Sequence, residues 1–151
     1  MSSDAQDNCR KLDVVTVKGS SVPMPIYTYD IYQHQIFPQL RTPKYSSLSL
    51  EEVLNKQAEE YDSSLWVQDQ DLVQLRCLST DAFQKTYCQG LDHYLSGNWE
   101  AAKEFLSDAD AMMKDGDMGG DGPSRTLLSY MKARNWKCPE DWNGYRPLTS
   151  K

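Results

Sequence analysis

The stretch that decides the fold runs from Asp81 to Lys114: DAFQKTYCQGLDHYLSGNWEAAKEFLSDADAMMK. Hydroxyl and carboxylate side chains at 79–81 can cap the start of a helix, and Ser96-Gly97-Asn98 reads as a turn. Apolar side chains recur at helical spacing on both sides of that turn: Phe83, Tyr87, Leu91, Tyr94 and Leu95 before it, and Trp99, Ala102, Phe105, Leu106, Ala109 and Met113 after it. The pattern predicts an αα-hairpin over 81–114.

This helical hairpin is similar to a single tetratricopeptide unit. Gly90, Ala102 and Ala109 stand at the relative positions where such a repeat places small residues. Only one copy is present, whereas repeats of this kind need about three copies to bury a core. We therefore expect the hairpin to pack on flanking helices or on a partner.

The N-terminal residues predict a β-hairpin. Leu12–Lys18 is rich in β-branched residues, 19–21 reads as a turn, and Ile26–Asp30 follows two prolines, Pro23 and Pro25. An isolated two-stranded hairpin is marginally stable in water. Because the chain offers no further convincing strand, we expect a parent sheet or another protein to receive it.

The segment between these two hairpins is predicted to be an arm and short helices. Residues 31–47 contain two prolines and no clean period, which indicates an extended arm held by single anchors. Ser49 and Glu52 form a capping-box pattern for a helix to about Tyr61. Residues 63–78 fit helical turns, but the polar run 68–71 interrupts the pattern, so we expect a break there and a second helix from Asp71. Further along, Pro123 marks the first turn of another helix, ending near 134.

The fold class predicted is mainly α with a small N-terminal β-hairpin. The remainder is an extended arm, a helical hairpin like a tetratricopeptide (TPR) unit, and a further C-terminal helix. We divide the chain into a terminal β-hairpin at 1–30, the arm with its short helix at 31–62, and a helical extension at 63–151 that contains the 81–114 hairpin.

Composition excludes several classes of protein. The 151 residues carry 16 basic and 22 acidic side chains, a net charge of −6, which is the wrong sign for binding nucleic acid. Four cysteines without a C-x-x-C pair and two distant histidines predict neither a zinc site nor a triad hydrolase. With no signal-like N-terminus and no apolar run long enough to span a bilayer, we expect a cytoplasmic protein.

The aromatic residues are mostly Tyr and Trp, which favour half-buried seams and interfaces. The candidates for contact with a protein partner are Phe37, Tyr45, Trp66, Trp99 and Trp142.

Four segments carry a resemblance to a known family. Residues 10–30, RKLDVVTVKGSSVPMPIYTYD, resemble the last β-hairpin of class III adenylate/guanylate cyclase catalytic domains. Residues 83–103, DGPSRTLL at 121–128 and WNGYRPLTSK at 142–151 are similar to the helical extension that follows that domain in many cyclases. The segments occur in the same order and cover about 40% of the chain.

The resemblance implies a role for one residue. Lys18 matches the V-K-G lysine that contacts the nucleotide polyphosphate in an intact cyclase. The metal-binding aspartates and the transition-state Asn and Arg of such enzymes belong to earlier segments, which this chain lacks. Mg²⁺ or Mn²⁺ is therefore implied only for an intact parent enzyme. The chain alone should need no cofactor, have no catalytic residue and be inactive.

Two functions remain open at this point. The first is a C-terminal, non-catalytic portion of a nucleotide cyclase-like protein, acting in regulation or assembly of cyclic-nucleotide signalling. The alternative is a non-enzymatic structural protein docked in a large cytoplasmic complex, with a cytoskeletal or ciliary location.

Overall fold

A computed structural model of the chain describes residues 6–31, 47–59, 61–115 and 118–148. About half of the chain is helical, which confirms the mainly α fold class. The helices are α1 (Leu50–Glu59), α2 (Leu65–Gln68), α3 (Gln70–Leu75), α4 (Asp81–Leu95), α5 (Trp99–Met112) and α6 (Gly122–Lys132). The strands are β1 (Arg10–Val17), β2 (Met24–Thr28), β3 (Lys114–Asp115), β4 (Met118–Gly119) and β5 (Arg146–Leu148).

The chain divides into two compact units by its internal contacts. Unit 1 comprises Met1–Asp30 and Leu78–Lys151, and unit 2 comprises Ile31–Cys77. The terminal β-hairpin thus belongs with the helical extension, although the two are far apart in sequence.

A three-stranded sheet of order β2-β1-β5 contains the predicted β-hairpin. β1 and β2 are antiparallel, with a register shift between Lys11 and Asp13. β5 pairs in parallel with the end of β1, so that Val15 lies opposite Arg146 and Val17 opposite Leu148. The expectation that this chain offers no further strand is therefore wrong. A three-residue strand containing a proline gives too weak a sequence signal to be read, and β1 supplies its pairing partner.

The predicted αα-hairpin is present as α4 and α5, and α6 packs against α5. Thr80 caps α4 by accepting from the Phe83 amide, and Asn98 caps α5 by accepting from the Ala101 amide. The core lies between these three helices, and its buried residues are Phe83, Tyr87, Leu91, Tyr94, Trp99, Ala102, Leu106, Ala109, Leu127 and Met131. Leu12 of β1 packs against the same core. The hairpin thus obtains its cover from flanking elements of its own chain.

Unit 2 has the predicted short helices. At α1, Ser49 and Glu52 form the capping box: the Ser49 amide donates to Glu52 Oε2 over 2.9 Å, and the Glu52 amide approaches Ser49 Oγ at 3.4 Å. Asp69 separates α2 from α3 in an extended conformation, and its carboxylate caps α3. Neither α2 nor α3 contains a buried residue. Residues 32–46, including Phe37 and Tyr45 of the predicted arm, lie outside the described residues.

The contact between α4 and α5 leads to a stability prediction. A Cβ added at Gly90 would lie 2.8 Å from Leu106 Cγ and 3.1 Å from the Leu106 backbone nitrogen. Because Leu106 is fully buried, Gly90→Ala should lower the free energy of unfolding by about 1–3 kcal/mol despite its better helix propensity. Urea unfolding followed by tryptophan fluorescence measures the change.

Gly122→Ala is the matched control for that substitution. A Cβ at Gly122 meets no atom within 4 Å, so this variant should stay within about 0.5 kcal/mol of the parent chain. A Gly90→Ala variant as stable as the parent would show that α4 and α5 do not approach this closely.

Candidate functional site

Among the described residues of unit 1, the guanidinium of Arg10 is the most heavily hydrogen-bonded polar group, and its side chain is only 3% exposed. It binds Asp30 through Nε at 2.9 Å and Nη2 at 2.7 Å. It also binds Asp121 through Nη1 at 3.1 Å and Nη2 at 2.9 Å. One cation at the start of β1 therefore holds the end of the β-hairpin and the start of α6 together.

Aromatic rings of α4 complete the surroundings of Arg10. The guanidinium carbon lies 4.8 Å from the Phe83 ring centroid and 4.2 Å from that of Tyr87. Burial alone would lower the pKa of Arg10, but the hydrogen bonds that it donates to Asp30 and Asp121 raise the pKa overall. The Tyr87 hydroxyl donates to the Leu12 carbonyl at 2.8 Å, which fixes β1 against α4. Burial raises the pKa of Tyr87 well above its usual range.

Asp121 also bonds to groups other than Arg10. The hydrogen bonds around Arg10 and Asp121 together form what we call the Arg10 network. As the N-cap of α6, Asp121 accepts through Oδ2 from the Ser124 amide at 2.8 Å and the Ser124 hydroxyl at 2.6 Å. Its own amide donates to Asp110 Oδ1 at 2.8 Å, and Arg125 Nε donates to the same oxygen at 2.7 Å. Although burial favours protonation of Asp110, the hydrogen bond from Arg125 holds its pKa below the usual range. The network thus continues from β1 through α6 to α5.

A second buried ion pair fastens β5 to β1. Arg146 Nε donates to Asp13 Oδ2 at 2.9 Å, and Arg146 Nη2 lies 2.9 Å from the same oxygen. Asp13 is 3% exposed, and burial raises the pKa of its carboxyl while Arg146 opposes that rise. The pair explains why so short a strand as β5 stays in the sheet.

Four aromatic side chains form a cluster where the C-terminal tail returns to the helices. They are Tyr94, Trp99, Tyr130 and Trp142, and every pair has ring centroids between 5.1 and 6.2 Å apart. The Trp142 indole donates to the Leu95 carbonyl at 3.0 Å. The tail is thus pinned by rings, as aromatic pairs at this spacing are stabilising.

Beside this cluster lies an open cleft of about 490 Å³. Its walls include Trp142 and Tyr145 from the tail, Arg134 from the residues after α6, and Thr16 of β1. The Arg134 guanidinium lies 3.7 Å from the centroid of the Tyr130 ring. The cleft thus lies at the surface, between the sheet and the tail.

The residues singled out from the sequence are distributed as follows. Lys18 lies in the exposed turn after β1, next to Gly19, whose φ of +90° suits a turn. Trp99 is 2% exposed and lies in the core rather than at a surface, because α4 and α6 cover it. Trp142 is half-buried in the cluster, and the half-buried Trp66 of unit 2 donates its indole N–H to the Tyr61 hydroxyl at 3.0 Å. Phe37 and Tyr45 lie outside the described residues.

The residues that the structure describes contain neither a cluster of metal ligands nor a membrane-spanning helix. Among them, no three His, Cys, Asp or Glu side chains form a group that could hold a metal ion. No described helix combines the length and the apolar character needed to cross a bilayer.

Sequence reasoning missed the structural roles of Arg10, Asp30 and Asp13. Each is a charged residue in or next to a predicted strand, where a solvent-facing position is the usual assignment. The only local signal was Asp13 within a run of β-branched residues, where a polar side chain is out of pattern. Their partners lie up to 133 positions away, beyond the reach of any spacing rule.

Comparison with known proteins adds no relative: no protein family, curated protein or solved structure matches this chain significantly.

The Arg10 network predicts a large effect for one substitution. Arg10→Met would leave Asp30 and Asp121 without their cation, so unfolding should require about 3–5 kcal/mol less free energy. Urea unfolding measures this loss. Lys85→Met, an exposed lysine on α4, is the control and should change little.

Adding Asp30→Asn to Arg10→Met tests the cause of that loss. If the loss comes from uncompensated negative charge, the double variant should recover part of the stability. An Arg10→Met chain as stable as the Lys85→Met control would show that the network does not hold unit 1 together.

Proposed function

We propose that the chain is the C-terminal, non-catalytic portion of a nucleotide cyclase-like protein and acts in regulation or assembly of cyclic-nucleotide signalling. The observation that supports this proposal is the Arg10 network. It joins the β-hairpin that resembles the end of a cyclase catalytic domain to the helices that resemble its extension. Packing of the extension on the hairpin would then set the position of the hairpin turn.

The turn carries the one residue with an implied role in such an enzyme. Lys18 is exposed and follows directly after β1, so its ammonium is free to reach a phosphate in a larger assembly. The buried ion pairs lie at the start and middle of β1, whereas Lys18 lies beyond its end. The extension would therefore influence the lysine through the position of β1 and not by direct contact.

The isolated chain should make no cyclic nucleotide from ATP or GTP with Mg²⁺ or Mn²⁺, because the resemblance places the metal-binding and transition-state residues in segments outside it. Cyclic nucleotide is measured after prolonged incubation, with Lys18→Ala as the comparison. Turnover above that of the Lys18→Ala chain would show that this part is catalytic.

A positive test uses a class III cyclase catalytic domain truncated before its terminal hairpin. Adding this chain should restore cyclic-nucleotide formation, Lys18→Ala should not, and Lys11→Ala on the same hairpin should. Failure to restore activity, or equal restoration by Lys18→Ala, would reject the cyclase assignment.

A second candidate function, a structural protein docked in a cytoskeletal or ciliary complex, is favoured by the surface of unit 2. Several large apolar side chains there are exposed, namely Leu50 (76%), Leu54 (57%), Val67 (72%) and Val73 (49%). Residues 47–77 also carry seven acidic and only two basic residues. Exposed apolar side chains within an acidic segment are typical of a docking surface for a basic partner.

Leu50 and Leu54 lie one turn apart on α1, which makes them the point to test. If this candidate is right, the chain should co-sediment with an isolated cytoskeletal fraction, and a Leu50→Ser/Leu54→Ser variant should lose most of that binding. Ser47→Ala, an exposed residue before the helix, is the control. Equal co-sedimentation of the double variant would reject the docking role of α1.

A further inference from the structure

The cleft of about 490 Å³ beside the aromatic cluster is lined by rings and polar side chains that have no role in the proposed function. Pro139 and Pro147 contribute apolar ring surface, and Trp142 and Tyr145 contribute aromatic surface. The volume lies within the range of about 300–1,000 Å³ typical of ligand sites. The cleft therefore combines ring surfaces with polar side chains, among them Thr16, Arg134 and Asp141.

The walls of this cleft are held in place by contacts outside it. The Trp142 indole N–H is bonded to the Leu95 carbonyl, and its ring packs on Tyr94 and Trp99. Arg134 is stacked on Tyr130 and donates from Nη1 to the Tyr130 carbonyl at 3.3 Å. Rings fixed in this way lose little conformational entropy when a ligand packs on them.

Several polar groups that line the cleft have no bonding partner in the described part of the chain. Thr16 is only 8% exposed, and its hydroxyl makes no hydrogen bond to any described residue. The Tyr145 hydroxyl and the Asp141 carboxylate also lack a described partner, and Arg134 uses only one of its N–H groups. These groups are therefore available to form hydrogen bonds with a ligand that enters the cleft.

We propose that this cleft binds a proline-rich segment of a partner protein in the polyproline II conformation, with a basic residue of that segment next to Asp141. A polyproline II chain makes no internal hydrogen bonds, so its carbonyls accept from the donors that the cleft provides: Thr16, Tyr145 and Arg134. Its proline rings pack on Trp142 and Tyr145, as in other aromatic-lined peptide grooves.

Charge distinguishes this occupant from a nucleotide or another phosphate compound. Arg134 and Asp141 contribute opposite charges to the cleft, so it has no positive field for a polyanion. A carboxylate at the rim instead suits a peptide that carries one arginine or lysine. The proposal does not depend on the cyclase assignment and can hold if that assignment fails.

The test is fluorescence anisotropy with the full chain and a labelled peptide that contains two Pro-x-x-Pro units and a terminal arginine. Binding should be saturable, and a scrambled peptide of the same composition with its prolines separated should bind at least about tenfold more weakly. Tyr145→Ala should also weaken binding at least about tenfold, and Tyr145→Phe should fall between it and the parent. Thermal unfolding of each variant verifies that it is folded.

Asp141 and its neighbour Glu140 provide a matched pair of charge variants. Asp141→Asn should weaken binding of the arginine peptide and leave binding of an arginine-to-glutamine peptide unchanged. Glu140→Gln, which removes an exposed charge outside the cleft, should have no effect. Absence of saturable binding, equal binding of the scrambled peptide, or equal losses for both acidic variants would overturn the proposal.

Discussion

The structure of unit 1 depends on one buried cation. Arg10 is almost completely removed from water, so its charge must be matched by fixed carboxylates, and both Asp30 and Asp121 have to be in place to do so. That requirement defines where the β-hairpin ends and where α6 begins. The other polar contacts of the region, from the Asp121 cap to the Asp110 bond, are arranged around the same point.

Such a network provides specificity more clearly than it provides stability. The desolvation of three charged groups offsets much of their mutual attraction, so an apolar core of the same volume could be equally stable. A misplaced hairpin, however, would leave a buried charge without a partner. The hydrophobic contacts of Leu12 would tolerate a shift in register, whereas the bidentate geometry at Asp30 would not.

The parts of the fold that follow from local sequence patterns, such as helical periodicity and capping residues, could be predicted from the sequence. The αα-hairpin follows from helical periodicity and caps, and the helix after Pro123 and the capping box at Ser49 follow from start signals. The third strand could not be predicted, because Arg146–Leu148 has no β pattern of its own and exists only through Asp13 and β1. The abundance of Trp at protein interfaces predicts a contact role for Trp99, whereas the packing of α4 and α6 buries its side chain. The candidate cleft could not be predicted from the sequence either, because it combines residues from β1, α6 and the tail.

The separation of the two ends of the network along the chain has a consequence for synthesis on the ribosome. Arg10 and Asp121 are 111 positions apart, and β1 finds its parallel partner at Arg146. Contacts between such distant residues slow folding, because a long loop must close before any of them forms. The β-hairpin leaves the ribosome before α6 does, and it cannot complete the burial of Arg10 until Asp121 has left the exit tunnel. During that interval the nascent hairpin exposes an arginine that still lacks Asp121 and a sheet edge that still lacks β5, a state in which chaperones commonly bind.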